Sequence, residues 1–206
     1  MYRARPSSTF AEFAKRWEGL VLIQHKPSTQ VNLRSHLRKY ITPFFGRLAV
    51  RDVRPDTVQQ FISSIKANPK TVRNIYVTLQ MMWKSARAWQ YVAHDALDGV
   101  VLPKRRKPRT FSFTQEEVTR ILGVAKEPYR TFYWLAAETG LRAGELCGLR
   151  LEDLNLETAQ VQVTQSAWRG KLQEPKTENA VRTFAISPNL VEHLKRHKHW
   201  LELSPE

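Results

Sequence analysis

Over roughly the first ninety residues, apolar side chains recur three and four positions apart, a period that helices satisfy and strands do not. Phe10, Phe13, Trp17, Leu20 and Val21 predict a first helix, opened by Pro6, Ser7 and Ser8 and ending near His25 and Pro27. A second, capped by Ser28, would bury Val31, Leu33, Leu37, Tyr40, Ile41 and Phe44 before Gly46 breaks it. Arg54, Pro55 and Asp56 start a third, with Val58, Phe61, Ile62 and Ile65 on one face and Asn68 and Pro69 at its end. The fourth carries Val72, Ile75, Leu79, Met82, Ala86 and Trp89 along one seam. Four helices joined by short connections predict a small all-α domain over residues 1–95.

The period then stops. Between Asp95 and Phe113 the chain reads Asp98, Gly99, a short apolar run, and Lys104, Arg105, Arg106 and Lys107 bracketed by Pro103 and Pro108. Two prolines around four cations disfavour a packed helix and predict an extended basic linker over 96–110; a localisation tag is the competing reading. From 111 to 206 the pattern is mixed. Thr114 and Glu117 form a capping-box pair for a helix to about Lys126, another helix runs from Tyr129 to Glu138 and stops at Thr139-Gly140, and a third runs from Leu141 to Leu149 or Arg150. Ala159 to Thr164 alternates as a strand, Arg169-Gly170-Lys171 marks a turn, Val181 to Ile186 is extended, and Ser187-Pro188 opens a last helix.

Charge follows the same division. The chain has 33 Lys and Arg against 19 Asp and Glu; 21 of those cations and six of the acids lie in the first 110 residues, a net of +15, leaving −1 for the rest. Such asymmetry suggests that the first part holds a polyanion and the second does something else, although a generally basic, soluble chain has the same totals. Arg34 and Arg38 share a side of the second helix, and Arg73, Lys84 and Arg87 form a stripe on the fourth, which is either a solvated face or a surface for phosphate backbone. One cysteine, Cys147, makes no internal disulfide, and no Cys/His group has zinc spacing. The longest early apolar run, Leu20 to Ile23, is too short to span a bilayer and no signal peptide precedes it, so a soluble cytoplasmic protein is expected.

The residues best placed for chemistry lie in Thr139 to Leu154, TGLRAGELCGLRLEDL. Arg142 and Glu145 are three apart on one side of the predicted helix, just after a glycine break. A guanidinium in a first turn opposes the helix dipole, so it points to an anion site with Glu145 steadying the arginine. Spacing alone equally describes a surface ion pair worth under ~1 kcal/mol.

That segment, the later PKTENAVRTFAI with its K-T-x-x-x-x-R spacing, and the order of basic helical domain, basic linker and mixed domain together resemble the tyrosine recombinase (phage integrase) family. The resemblance covers nearly the whole chain. It implies a SAM-like core-binding domain followed by part of a mixed α+β catalytic domain. It also implies strand cleavage and rejoining through a 3′-phosphotyrosine on double-stranded DNA, with other recombinase protomers on that DNA and with no metal or nucleotide cofactor. By this resemblance Arg142 is the arginine that grips the scissile phosphate, as a permanently charged bidentate fork would. Glu145 is its support. Lys176, otherwise readable as a plain turn lysine, is the proton donor to the departing 5′-oxygen. Arg34, Arg38, Arg73, Lys84, Arg87, Lys104, Arg105, Arg106 and Lys107 are the expected backbone contacts.

Two parts of the family pattern are missing. All six tyrosines, Tyr2, Tyr40, Tyr76, Tyr91, Tyr129 and Tyr133, precede Arg142, so none matches the nucleophile. His193-Leu194-Lys195-Arg196 has the letters of the family's His-x-x-Arg box, but it follows Lys176 too soon and is flanked by His197, Lys198 and His199. It is expected to be a solvated basic helix. The chain therefore reads as a shortened recombinase carrying part of an active site. The alternatives are a non-catalytic DNA-binding regulator or competitor at recombination sites and, lacking any RNP-like aromatic motif, an RNA-binding protein.

Overall fold

In the computed structural model, which describes residues 8–105, 110–173 and 182–203, the first helix begins at Phe10, two residues after Ser8. Thr9 caps α1 (Phe10–Leu20) in a reciprocal box: its hydroxyl accepts from the Glu12 N–H at 3.3 Å, and its own N–H donates to the Glu12 carboxylate at 2.9 Å. Phe10, Phe13, Ala14 and Trp17 are buried; Leu20, placed on that face by its spacing, is exposed because the α-helix ends there in a 3₁₀ turn over Leu22–Gln24.

The second helical stretch starts at Pro27, one residue before Ser28, and runs as α2 (Pro27–His36), a π turn (Leu37–Ile41) and α3 (Thr42–Phe45), with Gly46 as its C-cap. Its buried residues are Leu33, Leu37, Ile41 and Phe45, while Val31 is exposed and Tyr40 and Phe44 are half-buried. All four buried positions are four apart. On a regular α-helix each four-residue step overshoots a full turn by about 40°, so Phe45 would drift off the inner face. The wider π turn absorbs that drift, which is why Phe45 rather than Phe44 fills the core, against Phe10 and Phe61 at ring-centroid distances of 5.2 and 4.8 Å.

Helix α4 (Pro55–Ser64) buries Val58, Phe61 and Ile62. Asn68 and Pro69 do not end it but start α5 (Pro69–Ala88), where the Asn68 side chain accepts from the Thr71 N–H at 2.8 Å. Ile75, Leu79, Met82 and Ala86 of α5 are fully buried, and the Trp17 indole N–H donates to Ser85 at 3.1 Å, joining α1 to α5.

The expected linker over 96–110 needs a correction in its first part. Ala96 is fully buried in the bundle core, and Leu97, Val100 and Leu102 pack against that core. Tyr76 donates to the Leu97 carbonyl at 3.2 Å, Gln59 makes a reciprocal pair with the Val101 backbone at 2.8 and 3.2 Å, and Arg73 Nε donates to the Pro103 carbonyl at 3.0 Å. Residues up to Pro103 are thus strapped to the bundle, because apolar residues inside the break find core contacts that linker composition did not suggest. Backbone contacts divide the chain into two compact units, 1–109 and 110–206.

The second unit opens with α6 (Gln115–Val124), capped by the predicted Thr114–Glu117 box at 3.3 and 2.8 Å. Helix α7 (Tyr129–Thr139) ends at Gly140, whose φ of 63° is the left-handed cap that glycine takes without strain. After α8 (Ala143–Gly148) come β1 (Leu154–Asn155), β2 (Gln160–Val163), β3 (Ser166–Trp168), β4 (Lys171–Gln173), β5 (Arg182–Ala185) and α9 (Pro188–Leu203). Strands β1, β2 and β5 form an antiparallel sheet in that order, and β3 and β4 form a separate hairpin around Arg169 and Gly170, both at positive φ. Val161 and Val163 of β2 face a core completed by Leu135, Leu141, Leu146, Ile186, Leu190 and Leu194, while Gln160 and Gln162 alternate outward. No helix among the described residues is long and apolar enough to cross a membrane.

Candidate functional site

Arg142 owes its position to the stop before it. Gly140 turns the chain out of α7, its N–H returning to the Ala136 carbonyl at 3.0 Å, and the next residue, Leu141, is buried in the core. Arg142 follows as the N-cap of α8, with extended backbone (φ −69°, ψ 150°). This differs from the expected longer helix with the arginine in its first turn: α8 has only six residues, and Arg142 lies just outside it.

Glu145 organises the arginine. Its Oε1 accepts from Arg142 Nη1 at 3.0 Å, and its Oε2 accepts from the Arg142 backbone N–H at 2.8 Å and from Arg182 Nη2 at 2.8 Å. The glutamate is 9% exposed, whereas the Arg142 side chain is 78% exposed. Burial pushes the Glu145 carboxyl up, but the Arg142 backbone N–H and the guanidiniums of Arg182 and Arg142 outweigh it and hold the group below its ordinary value. A buried carboxylate thus holds two guanidiniums and leaves one net positive charge, with most of the Arg142 fork open to solvent. That arrangement suits an incoming phosphate oxygen.

Arg182 had no role assigned from the sequence, although it is the terminal arginine of the K-T-x-x-x-x-R spacing. It starts β5, pairs in register with Val163, and lies over the Phe184 ring at 5.2 Å. Lys176 lies outside the described residues, as do Arg106 and Lys107.

The remaining expected DNA contacts differ in how far other groups already hold them. Arg34 is held by Glu18 at 2.8 Å and Gln30 at 3.1 Å, toward α1. Arg73 and Arg87 point toward the 95–103 strap, Arg73 to Pro103 and Arg87 to Asp95 at 3.5 Å; Lys84 and Arg87 border a groove there with Gln80 and Asp98. Among the described residues, Arg38, Lys84, Lys104 and Arg105 are exposed and carry no ion pair.

His193 also requires correction. It is not solvated: it is 7% exposed, packs on Trp134 at 4.9 Å, and its Nε2 lies 2.8 Å from Thr131 Oγ1 and 3.3 Å from Glu127. The Thr131 hydroxyl donates to Glu127 at 2.7 Å, so the imidazole supplies the proton in the Thr131 contact. His197 approaches the same carboxylate at 3.0 Å. These contacts assign His193 to the junction of α7 and α9, with no contact to Arg142 or Glu145.

Residues 112–203 match the profile described as Phage integrase family, and residues 9–66 match that described as Phage integrase, N-terminal SAM-like domain. The chain belongs to the phage integrase family. Among relatives of this integrase-family chain, a Mycobacterium tuberculosis protein named as the integrase of prophage phiRv2 is 27% identical over 95% of the chain and 53% of its own length. The ICEBs1 integrase of Bacillus subtilis is 26% identical over 85% of the chain and 50% of its own. The chain thus spans about half the length of the curated relatives it matches. Among solved structures, the Tn1549 transposon integrase in complex with a circular intermediate DNA is similar with a TM-score of 0.75, at 20% identity over 92% of this chain and 65% of that one. A lambda integrase tetramer bound to a Holliday junction gives 0.67, at 20% identity over 82% and 50%. At these identities the likeness establishes a shared fold: a helical SAM-like unit, then part of a mixed catalytic domain.

Proposed function

We propose that this chain binds double-stranded DNA through its basic helical unit and presents Arg142 to a backbone phosphate, as part of an integrase of a phage or other mobile element acting in the bacterial cytoplasm. The observation that carries this reading is the exposed Arg142 fork anchored on buried Glu145. A phosphodiester under attack gains negative charge on its nonbridging oxygens, and a guanidinium fixed beforehand stabilises that charge without reorganising. Lys176 would protonate the leaving 5′-oxygen. Arg34, Arg38, Arg73, Lys84, Arg87 and the Lys104–Lys107 run would hold the flanking backbone, with other protomers seated on the same duplex.

Covalent cleavage also needs a nucleophile. Tyr129 and Tyr133 stack on each other at 6.5 Å on α7, N-terminal to Arg142 rather than after it, so the attacking tyrosine is expected from outside these 206 residues. We expect the chain to bind duplex DNA with an affinity that falls steeply with salt, read by fluorescence anisotropy. Arg142→Ala should weaken binding. A nicked suicide substrate should leave no covalent adduct on the chain alone. Salt-insensitive binding, or an adduct mapped to Tyr129 or Tyr133, would overturn the reading; binding untouched by Arg142→Ala would leave a DNA-binding protein without a phosphate site.

A further inference from the structure

Glu145 receives guanidiniums from two elements distant in sequence. Arg142 belongs to the same short turn and would find the carboxylate in almost any folded form of this segment. Arg182 reaches it across 37 residues, from the first position of β5. Its backbone is set by antiparallel pairing with β2, Arg182 opposite Val163, and its side chain is half-buried and backed by Phe184 two residues on. The guanidinium therefore approaches Glu145 from a fixed direction. It takes Oε2 together with the Arg142 backbone N–H, leaving Oε1 to Arg142 Nη1. Three donors on two oxygens fix the plane of the carboxylate. The fixed plane in turn sets where the Arg142 fork can sit.

We propose that Arg182 is a positioning residue: it clamps Glu145 from the sheet side and so holds the Arg142 guanidinium with its free N–H donors turned outward. The inference rests on Arg142 as the phosphate-gripping group and adds a part that the sequence pattern left without a role. Lacking the clamp, Glu145 would be free to rotate toward Arg142 alone, and the fork would sample orientations that spend its donors on the carboxylate. The cost falls on Arg142 rather than on a contact of Arg182 with DNA.

The test uses the full chain with Arg182→Met and Arg182→Lys. Carbon-detected NMR of glutamate carboxyls should show Glu145 titrating below the ordinary carboxylate range in the parent, moving up in Arg182→Met and largely returning in Arg182→Lys. A Glu145 titration unchanged in Arg182→Met would overturn the clamp and leave Arg182 as packing for Phe184. Duplex affinity should fall roughly tenfold in Arg182→Met, the scale of one charge-assisted bond. The double variant with Arg142→Ala should bind no more weakly than Arg142→Ala alone. Effects that multiply would mean that Arg182 acts on DNA by itself, which overturns the positioning role. Should Arg142→Ala leave affinity intact, the phosphate reading fails, and the Glu145 titration still decides whether the clamp exists. Thermal melting of each variant confirms folding, and Arg182→Lys retains the charge if Arg182→Met does not fold.

Discussion

Two histidines make the stability of this chain depend on pH. Burial pushes His193 below its ordinary value, outweighing the opposite pull of Glu127, and burial does the same to His36, whose Nδ1 lies 2.7 Å from Thr78. The unfolded chain takes up these protons near pH 6.5 while the folded one resists, so the unfolded state binds more protons and stability falls as pH drops below about 6.5. The urea midpoint is expected to be lower at pH 5.5 than at pH 7.5, and His193→Gln, which cannot be protonated, should flatten part of that slope. Glu145 acts in a separate window: its lowered pKa adds stability at neutral pH that disappears only as pH falls through the acid range. A fall in stability confined to that acid range would mean that the two histidines are not held neutral by the fold.

At the scale of elements, local chemistry and long-range packing can be separated by two substitutions in the second unit. Thr114→Ala removes a side-chain cap that depends on residues three apart, and should cost about 1 kcal/mol in urea unfolding. Gly148 answers to a distant segment. A Cβ there would lie 2.9 Å from the Ser166 backbone at the start of β3, so α8 and the hairpin can touch only because position 148 has no side chain. Gly148→Ala is expected to cost about 1–3 kcal/mol by forcing backbone apart, despite the better helix propensity of alanine. A stabilised Gly148→Ala would show that the hairpin yields freely. The π turn is a similar device, since it keeps Leu33, Leu37, Ile41 and Phe45 on one face where a regular helix would not.

At the scale of the whole molecule, charge is the organising quantity: +15 through residue 110 and −1 thereafter. Several of those cations are already occupied, Arg34 by Glu18 and Arg87 by Asp95, so net charge overstates the number of phosphates the unit can neutralise. Among the described residues Lys104 and Arg105 carry no ion pair, and they follow directly on the strapped segment. Reversing both to glutamate should lower the slope of log affinity against log salt by roughly two, because two phosphates would no longer be neutralised. An unchanged slope would remove this pair from the DNA-binding surface.

Much of the architecture was legible without coordinates because its determinants are short-range. The helix period, the Thr114–Glu117 cap, the Gly140 stop and the alternation of β2 each depend on residues within a few positions of one another. The Arg142–Glu145 pair belongs to the same class and was visible as spacing. Contacts between segments far apart in sequence were decided only in three dimensions: Arg182 on Glu145, the 96–103 strap on the bundle, and His193 against Thr131 and Glu127. Nothing local distinguishes buried His193 from exposed His199, or Arg182 from any arginine at the start of a strand. Their partners are set by sheet register and helix packing, and those exist only once the whole core has closed.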